Sequence, residues 1–161
     1  SVPAVRERLV GAINNVYKAY KGEYTDYDGT IARLDAWKSA WVVIQQHPLT
    51  GVGTGDVMSA LIQEYEKQHL DVLVAAKTNT HNQFLQTTVA SGILGLLALL
   101  LMFAYSGHVA WRRKDFILGA FIFIFACNLV VESMLETQAG VVFFAFFNTF
   151  FLHAGLNMSK R

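Results

Sequence analysis

The sequence predicts an all-α membrane protein in which about three transmembrane helices follow a polar, helical region. Of the 161 residues 53% are apolar and only 16% are charged, which is too apolar for an ordinary soluble domain of this size. Most of the charge lies in residues 1–83, whereas residues 84–161 are nearly continuously apolar. This second part contains three stretches that each approach the roughly 20 apolar residues needed to cross a bilayer.

The polar part is predicted to contain three helices. Apolar side chains at helical spacing predict the first helix over 4–20. The second is predicted over 30–46, because the residue before Pro48 avoids helical backbone angles. A glycine-rich string over 51–56 then leads into a third helix that ends at His69, followed by a loop to the start of the apolar part.

The glycine-rich string matches neither a dinucleotide fingerprint nor a phosphate-binding loop, because it follows no strand and lacks Gly-Lys-Ser/Thr at its end. A helix N-terminus after such a turn can bind an anion. Asp56 in the first helical turn opposes this, so the string is predicted to be a plain connector.

The three apolar stretches predict transmembrane helices over 84–109, 116–135 and 139–156. The second and third are short and contain polar residues such as Glu132 and His153. For these two, the alternative is a buried hairpin in a soluble core.

The basic residues predict how these helices cross the membrane. Residues 111–114 link the first two spans and residues 159–161 follow the third, and both segments carry Lys and Arg, whereas the loop over 136–138 has no positive charge. Short basic loops stay in the cytoplasm, so residues 1–83 are expected on the outer side. Since no signal peptide begins the sequence, we expect the C-terminal portion of a larger polytopic protein.

His81 and Asn82 stand where the polar part meets the first apolar stretch. Histidine can take up a proton near neutral pH, so a ring at the water–lipid boundary is suited to chemistry on a membrane-anchored molecule. Asn82 either orients His81 or caps the following helix, and capping is the more common role of Asn at a helix start.

Two further groups of residues are candidates for a site. Arg33, Trp37 and Trp41 recur every four residues and share one helix face, where an arginine can stack on indole rings. The alternative, a surface arginine over a packing face, is favoured by the pattern alone. Glu132 and Glu136 are predicted to share a helical face at the outer end of the second span, with either a substrate role or a pairing with a basic residue of other spans.

Composition excludes some classes of protein. The net charge of +1 leaves no dominant basic face for a nucleic acid. The single cysteine permits no disulfide and no cysteine-based zinc framework.

Four motifs occur in a characteristic order: Arg33-x-x-x-Trp37, His47-Pro48-Leu49-x-Gly51-Val52-Gly53-x-Gly55, His81-Asn82-x-Phe84-Leu85-Gln86 and Gly92-x-x-Gly95. Together they resemble the C-terminal conserved region of the O-antigen ligase/polymerase family, a group of Wzy_C-like membrane glycosyltransferases. The resemblance is best over residues 30–105.

The resemblance implies a GT-C-like polytopic helical bundle in the bacterial inner membrane, with residues 1–83 in the periplasm. It implies transfer of a glycan from undecaprenyl diphosphate to an acceptor hydroxyl, without a metal ion or another cofactor. The acceptor would be lipid A-core in a ligase, a growing glycan in a polymerase, or a protein in an O-oligosaccharyltransferase.

The resemblance also implies roles for individual residues. His81 matches the family's essential histidine and would act as general base, and Arg33 matches a loop arginine that would bind the leaving diphosphate. The family's arginine in an earlier outer loop has no counterpart here, and this portion alone is expected to be inactive. Four further residues are expected to contact the substrates on the basis of their own positions in the sequence: Trp37, Asn82, Glu132 and Glu136. The alternatives of another class are a transporter and a non-catalytic domain tethered to the membrane.

Overall fold

The computed structural model describes residues 29–158 and, before them, residues 6, 7, 10, 11, 13 and 14, which are helical. The rest of the helix predicted over 4–20 lies outside the described residues, as do residues 21–28 and 159–161. Side chains are described as far as residue 154.

Residues 29–158 form an all-helical structure without strands. The helices are α1 (Gly29–Gln46), α2 (Val57–Lys67), α3 (Asp71–Ala76), α4 (Gln83–Arg113), α5 (Phe116–Val131), a 3₁₀ turn (Met134–Glu136) and α6 (Gln138–Met158). This arrangement confirms the predicted all-α class and the predicted second helix.

The prediction of a loop between His69 and the apolar part is wrong in one respect, because this segment contains the short helix α3. Leu73 of this short helix is fully buried in the core formed by α1 and α2. A helix of less than two turns has no periodicity to detect in the sequence, so its formation depends on this tertiary contact.

The helices α1 to α3 pack around one core together with the beginning of α4. Buried residues recur every three or four positions along α1, as expected for an amphipathic helix. Tyr65 of α2 is fully buried, and its hydroxyl donates a hydrogen bond to the Thr78 carbonyl at 3.1 Å. Burial of a side chain such as Leu61 contributes about 1.5–3 kcal/mol to folding. The core therefore holds the segment that leads to His81.

Helix α4 is interrupted at Gly92, which has φ 63° and ψ −161°. In a continuous helix the Ile93 amide would donate to the Val89 carbonyl. Here the Ile93 amide donates to the Pro48 carbonyl at 2.9 Å, and the Val89 carbonyl accepts from the Val52 amide at 2.9 Å. The connector after α1 thus satisfies the backbone groups that the interruption frees.

Two glycines permit this close approach of the backbones. Gly51 has φ 67°, and a Cβ atom there would lie 2.5 Å from the Ala90 carbonyl carbon. A Cβ atom on Gly92 would collide with the Leu49 carbonyl. The glycine-rich string therefore connects α1 to α2 and packs against α4, which agrees with the predicted connector, and the close contact explains Gly51.

Beyond Gly92, α4 packs antiparallel to α5, and α6 runs in the same direction as α4. The rings of Phe103 and Phe125 lie 5.1 Å and 4.7 Å from that of Phe144, within the range of favourable aromatic pairs. At one end, the Arg113 guanidinium donates to the Leu152 carbonyl of α6 at 2.6 Å. The opposite end carries the beginning of α4 and the end of α5, and it contains His81.

Among the described helices, α4 alone is long and apolar enough to cross a membrane. Helix α5 and the described part of α6 (Gln138–Ala154) are apolar but shorter. The second and third spans therefore stay predictions. The second was predicted to extend to residue 135, but the helix ends at Val131 because Glu132 is extended, with φ −150° and ψ 144°.

Candidate functional site

His81 lies in the turn that enters α4, and its backbone adopts the left-handed conformation with φ 44°. This conformation is uncommon for a residue other than glycine. The His81 amide donates to the Asn79 Oδ1 at 2.9 Å, which stabilises the turn. The turn directs the imidazole towards the end of α5.

Asn82 joins the two helices that meet at this end. Its Oδ1 accepts a hydrogen bond from the Leu85 amide at 3.0 Å, which confirms the predicted helix cap. Its Nδ2 donates to the Val130 carbonyl at 2.9 Å, in the last turn of α5. The cap therefore also sets the position of α5 beside His81, and a substrate contact by Asn82 stays a prediction.

The imidazole of His81 contacts the carboxylate of Glu132. Its Nδ1 lies 3.1 Å from Oε1 and 3.3 Å from Oε2. The two side chains are 34% and 48% exposed, so the pair contributes only about 0–1 kcal/mol to stability. The pair matters for the orientation of the ring. With Nδ1 held by Glu132, the other ring nitrogen, Nε2, has no hydrogen-bond partner among the described residues.

Glu132 and Glu136 do not share a helical face, contrary to the prediction. Helix α5 ends at Val131, and Glu136 belongs to the following 3₁₀ turn. Glu132 pairs with His81, a residue of this chain, and its predicted pairing with a basic residue of other spans stays a prediction. Glu136 accepts a hydrogen bond from the Gln83 side chain at 3.4 Å.

Gln83 is a structural residue of the site that the sequence analysis missed. Its side chain is buried, and its Oε1 accepts from the Leu135 amide at 2.7 Å. Its Nε2 lies 3.1 Å from the hydroxyl of Thr87 as well as near Glu136. The one sequence signal was an amide side chain directly after His81 and Asn82 at an apolar helix start.

Trp37 connects α1 to the segment that carries His81. Its indole Nε1 donates to the carbonyl of Thr80, the residue before His81, at 2.7 Å. The Thr80 hydroxyl is within 3.0 Å of the Gln86 Oε1, which ties the same residue to α4. Arg33 lies one turn before Trp37 on α1.

The guanidinium of Arg33 is exposed and forms no hydrogen bond or ion pair with another described residue. The structure therefore brings the helix of Arg33 to the His81 segment through Trp37. It shows no direct contact between the Arg33 and His81 side chains. Among residues whose side chains are described, no group of three or more His, Cys, Asp or Glu is arranged to hold a metal ion.

Comparison with known proteins gives one match. Residues 3–100 match the family model described as O-antigen ligase. This range includes α1 to α3, His81 and α4 as far as residue 100. No curated protein and no solved structure matches the chain significantly. The family match and α4, the one described helix that is long and apolar enough to cross a membrane, suggest a membrane protein of glycosyltransferase-like function. The chain belongs to the O-antigen ligase family.

Proposed function

We propose that this chain carries the acceptor-activating part of an O-antigen ligase, which moves a glycan from undecaprenyl diphosphate to a hydroxyl of lipid A-core. One observation supports this most strongly: the ring of His81 is held by Glu132 at the start of the apolar helix, with Nε2 unpartnered among the described residues. A base at this position can reach a substrate whose lipid lies in the membrane while its sugar lies in water.

In the proposed reaction, His81 Nε2 takes the proton of the acceptor hydroxyl. The acceptor oxygen forms a bond to the anomeric carbon of the donor glycan, and the bond from that carbon to the diphosphate oxygen breaks. Direct displacement inverts the anomeric configuration, and undecaprenyl diphosphate leaves with the additional negative charge. A positioned general base contributes typically about 10²–10⁴-fold to such a rate.

Arg33 would neutralise the charge that develops on the diphosphate. Its planar guanidinium presents parallel donors that match two phosphate oxygens. The proposal is supported by its exposure and by the absence of a partner among the described residues. A fixed cation of this kind would make the reaction independent of a metal ion. Trp37, Asn82, Glu132 and Glu136 remain candidate contacts for the substrates.

The proposed location is the bacterial inner membrane, with several spans and with residues 1–83 in the periplasm. The distribution of charge in the α4–α6 unit supports this orientation. His81, Glu132 and Glu136 lie at one end, whereas Arg112 and Arg113 lie in the last turn of α4 at the other. Basic ends of membrane helices favour the cytoplasm.

The proposal is tested with the complete protein in proteoliposomes that contain an undecaprenyl diphosphate-linked glycan and lipid A-core. We expect His81→Ala to lower transfer by about 10²–10⁴-fold. Arg33→Lys should lower it by about 10–100-fold, because a charge-assisted hydrogen bond contributes about 1.5–3 kcal/mol. Lys38→Arg, which likewise retains the charge at an exposed position of the same helix and can keep the ion pair with Asp35, is the matched control.

The outcomes separate the classes of function. If transfer to any acceptor survives both the His81 and the Arg33 changes, the catalytic assignment is wrong. If solute flux changes while transfer does not, the protein is a transporter. Transfer to a growing glycan or to a protein, but not to lipid A-core, would identify the polymerase or the O-oligosaccharyltransferase instead.

A further inference from the structure

We infer that Glu132 is a positioning residue, which fixes the tautomer and the orientation of His81 so that Nε2 is the atom that takes the acceptor proton. This inference rests on the proposed function and assigns a specific role to a carboxylate for which the sequence left open a substrate role and a pairing with a basic residue of other spans.

The hydrogen bond between these residues determines where the ring proton resides. Both carboxylate oxygens of Glu132 lie within 3.3 Å of the His81 Nδ1. An ionised carboxylate only accepts hydrogen bonds, so Nδ1 must carry the proton. A neutral imidazole with a proton on Nδ1 has its lone pair on Nε2. The nitrogen without a described partner is therefore the basic one.

The carboxylate is held in place by the backbone around it. The Glu132 amide donates to the Asn128 carbonyl at 2.9 Å, which anchors the residue to the last turn of α5. The Ser133 amide donates to the Glu132 Oε1 at 3.2 Å. The bond from Asn82 to Val130 fixes the neighbouring helix start at the same end. Glu132 is thus positioned before substrate binds, which is the condition for efficient orientation of a catalytic group.

The charge of Glu132 should act mainly in the transition state. A base that takes the acceptor proton gains a positive charge on its imidazole in the transition state. A carboxylate at 3.1 Å stabilises that charge more than it stabilises the neutral ring. An interaction that strengthens only in the transition state raises kcat and leaves KM unchanged.

The test uses Glu132→Gln in the complete protein in proteoliposomes, with kcat and KM measured for lipid A-core. Glutamine retains the shape of the side chain but removes its charge, and its amide can bond to either tautomer. We expect kcat to fall by about 10–100-fold, the range typical of residues that orient a histidine, with KM unchanged. Glu132→Asp, which retains the charge, should recover part of the loss. Glu66→Gln, an exposed carboxylate on α2, is the control.

Two further measurements separate positioning from structural support. The double variant Glu132→Gln/His81→Asn should be no slower than His81→Asn alone, because residues that act as a unit are not additive. The ¹⁵N signals of His81 should show a protonated Nδ1 in the wild type and a mixture of tautomers in Glu132→Gln.

Opposite results overturn the inference. A higher KM with unchanged kcat would make Glu132 a substrate contact, and multiplicative losses in the double variant would make it independent of His81. An inactive His81→Asn with a fully active Glu132→Gln refutes this inference alone. A fully active His81→Asn refutes the proposed function itself.

Discussion

Two regions of this chain differ in the side chains that they expose on their surfaces. In the first region, α1 to α3 with α4 up to Gly92, the core is built mainly from aliphatic side chains and Tyr65, and the exposed positions are mostly polar. In the second region, α4 beyond Gly92 with α5 and α6, large apolar side chains face both ways. Phe125 is 4% exposed, whereas Phe123, two residues earlier, is 69% exposed. In the first region, burial away from water explains where the apolar side chains lie. In the second region, the exposed apolar side chains require an apolar surrounding such as lipid.

The candidate site lies where these two regions meet. His81 lies just before α4 and contacts Glu132, and Gln83, the first residue of α4, contacts Leu135 after α5. Trp37 joins the first region to the same segment. The geometry of the site therefore depends on the contact between the regions, and each of the following changes tests one side of that contact.

The largest expected effect on stability comes from Gly92→Val, which disrupts the docking of the two regions. The new side chain would collide with the Leu49 carbonyl and would require a β-branched residue at φ 63°. We expect a loss of about 3 kcal/mol or more in the free energy of unfolding, from strain and overpacking together. Thermal unfolding in detergent micelles measures this loss.

Gly107→Ala in the same helix is the control, because no atom lies within 4 Å of its Cβ position. Its effect should be small and favourable, up to about 1 kcal/mol. Equal stability of the two variants would contradict the close approach at Gly92.

The next largest effect distinguishes the surroundings of the two regions. Ile124 in α5 and Val72 in α3 are 60% and 55% exposed, and each can be replaced by lysine. Ile124→Lys should cost about 2.5–3.5 kcal/mol of membrane insertion if this surface faces lipid. Val72→Lys should have almost no effect, because it faces water. The fraction of protein retained in membranes after alkaline extraction measures the difference, and equal retention would mean that the two surfaces share one environment.

A smaller effect is expected from Gln83→Leu at the contact between the regions. The Leu135 amide would lose its acceptor, which costs about 1–3 kcal/mol when the donor stays buried. A lower melting temperature with weaker protection of the Leu135 amide from hydrogen exchange would agree with this role. Unchanged protection would show that the amide finds another acceptor.

Local chemistry allowed part of this structure to be predicted. Pro48 located the end of α1, which begins within one residue of its predicted start, and Asn82 caps α4 as its side chain suggested. The interruption at Gly92 was not predictable, since a single glycine is tolerated in an apolar helix and the break depends on Pro48 and Val52, about 40 residues earlier.

The pairing of His81 with Glu132 could not be predicted from the sequence either. The two residues are 51 positions apart, and their contact requires α5 to end at Val131. Hydropathy alone does not place this end, because the apolar residues 134–135 follow Glu132 and Ser133 and extend the apolar stretch beyond Val131. At the end of α5 the Asn82 side chain donates to the Val130 carbonyl and the His81 ring contacts Glu132, and only the folded structure brings these residues together.

The most direct test of the account is the single-turnover rate of glycan transfer by His81→Gly, compared with His69→Gly. Both histidines have left-handed backbones, with φ 44° and 58°, so glycine relieves strain at each and removes only the ring. We expect a fall of about 10²-fold or more for His81→Gly, partly restored by added imidazole, and no change for His69→Gly. A rate for His81→Gly within about twofold of the wild type would contradict the assignment of His81 as the base.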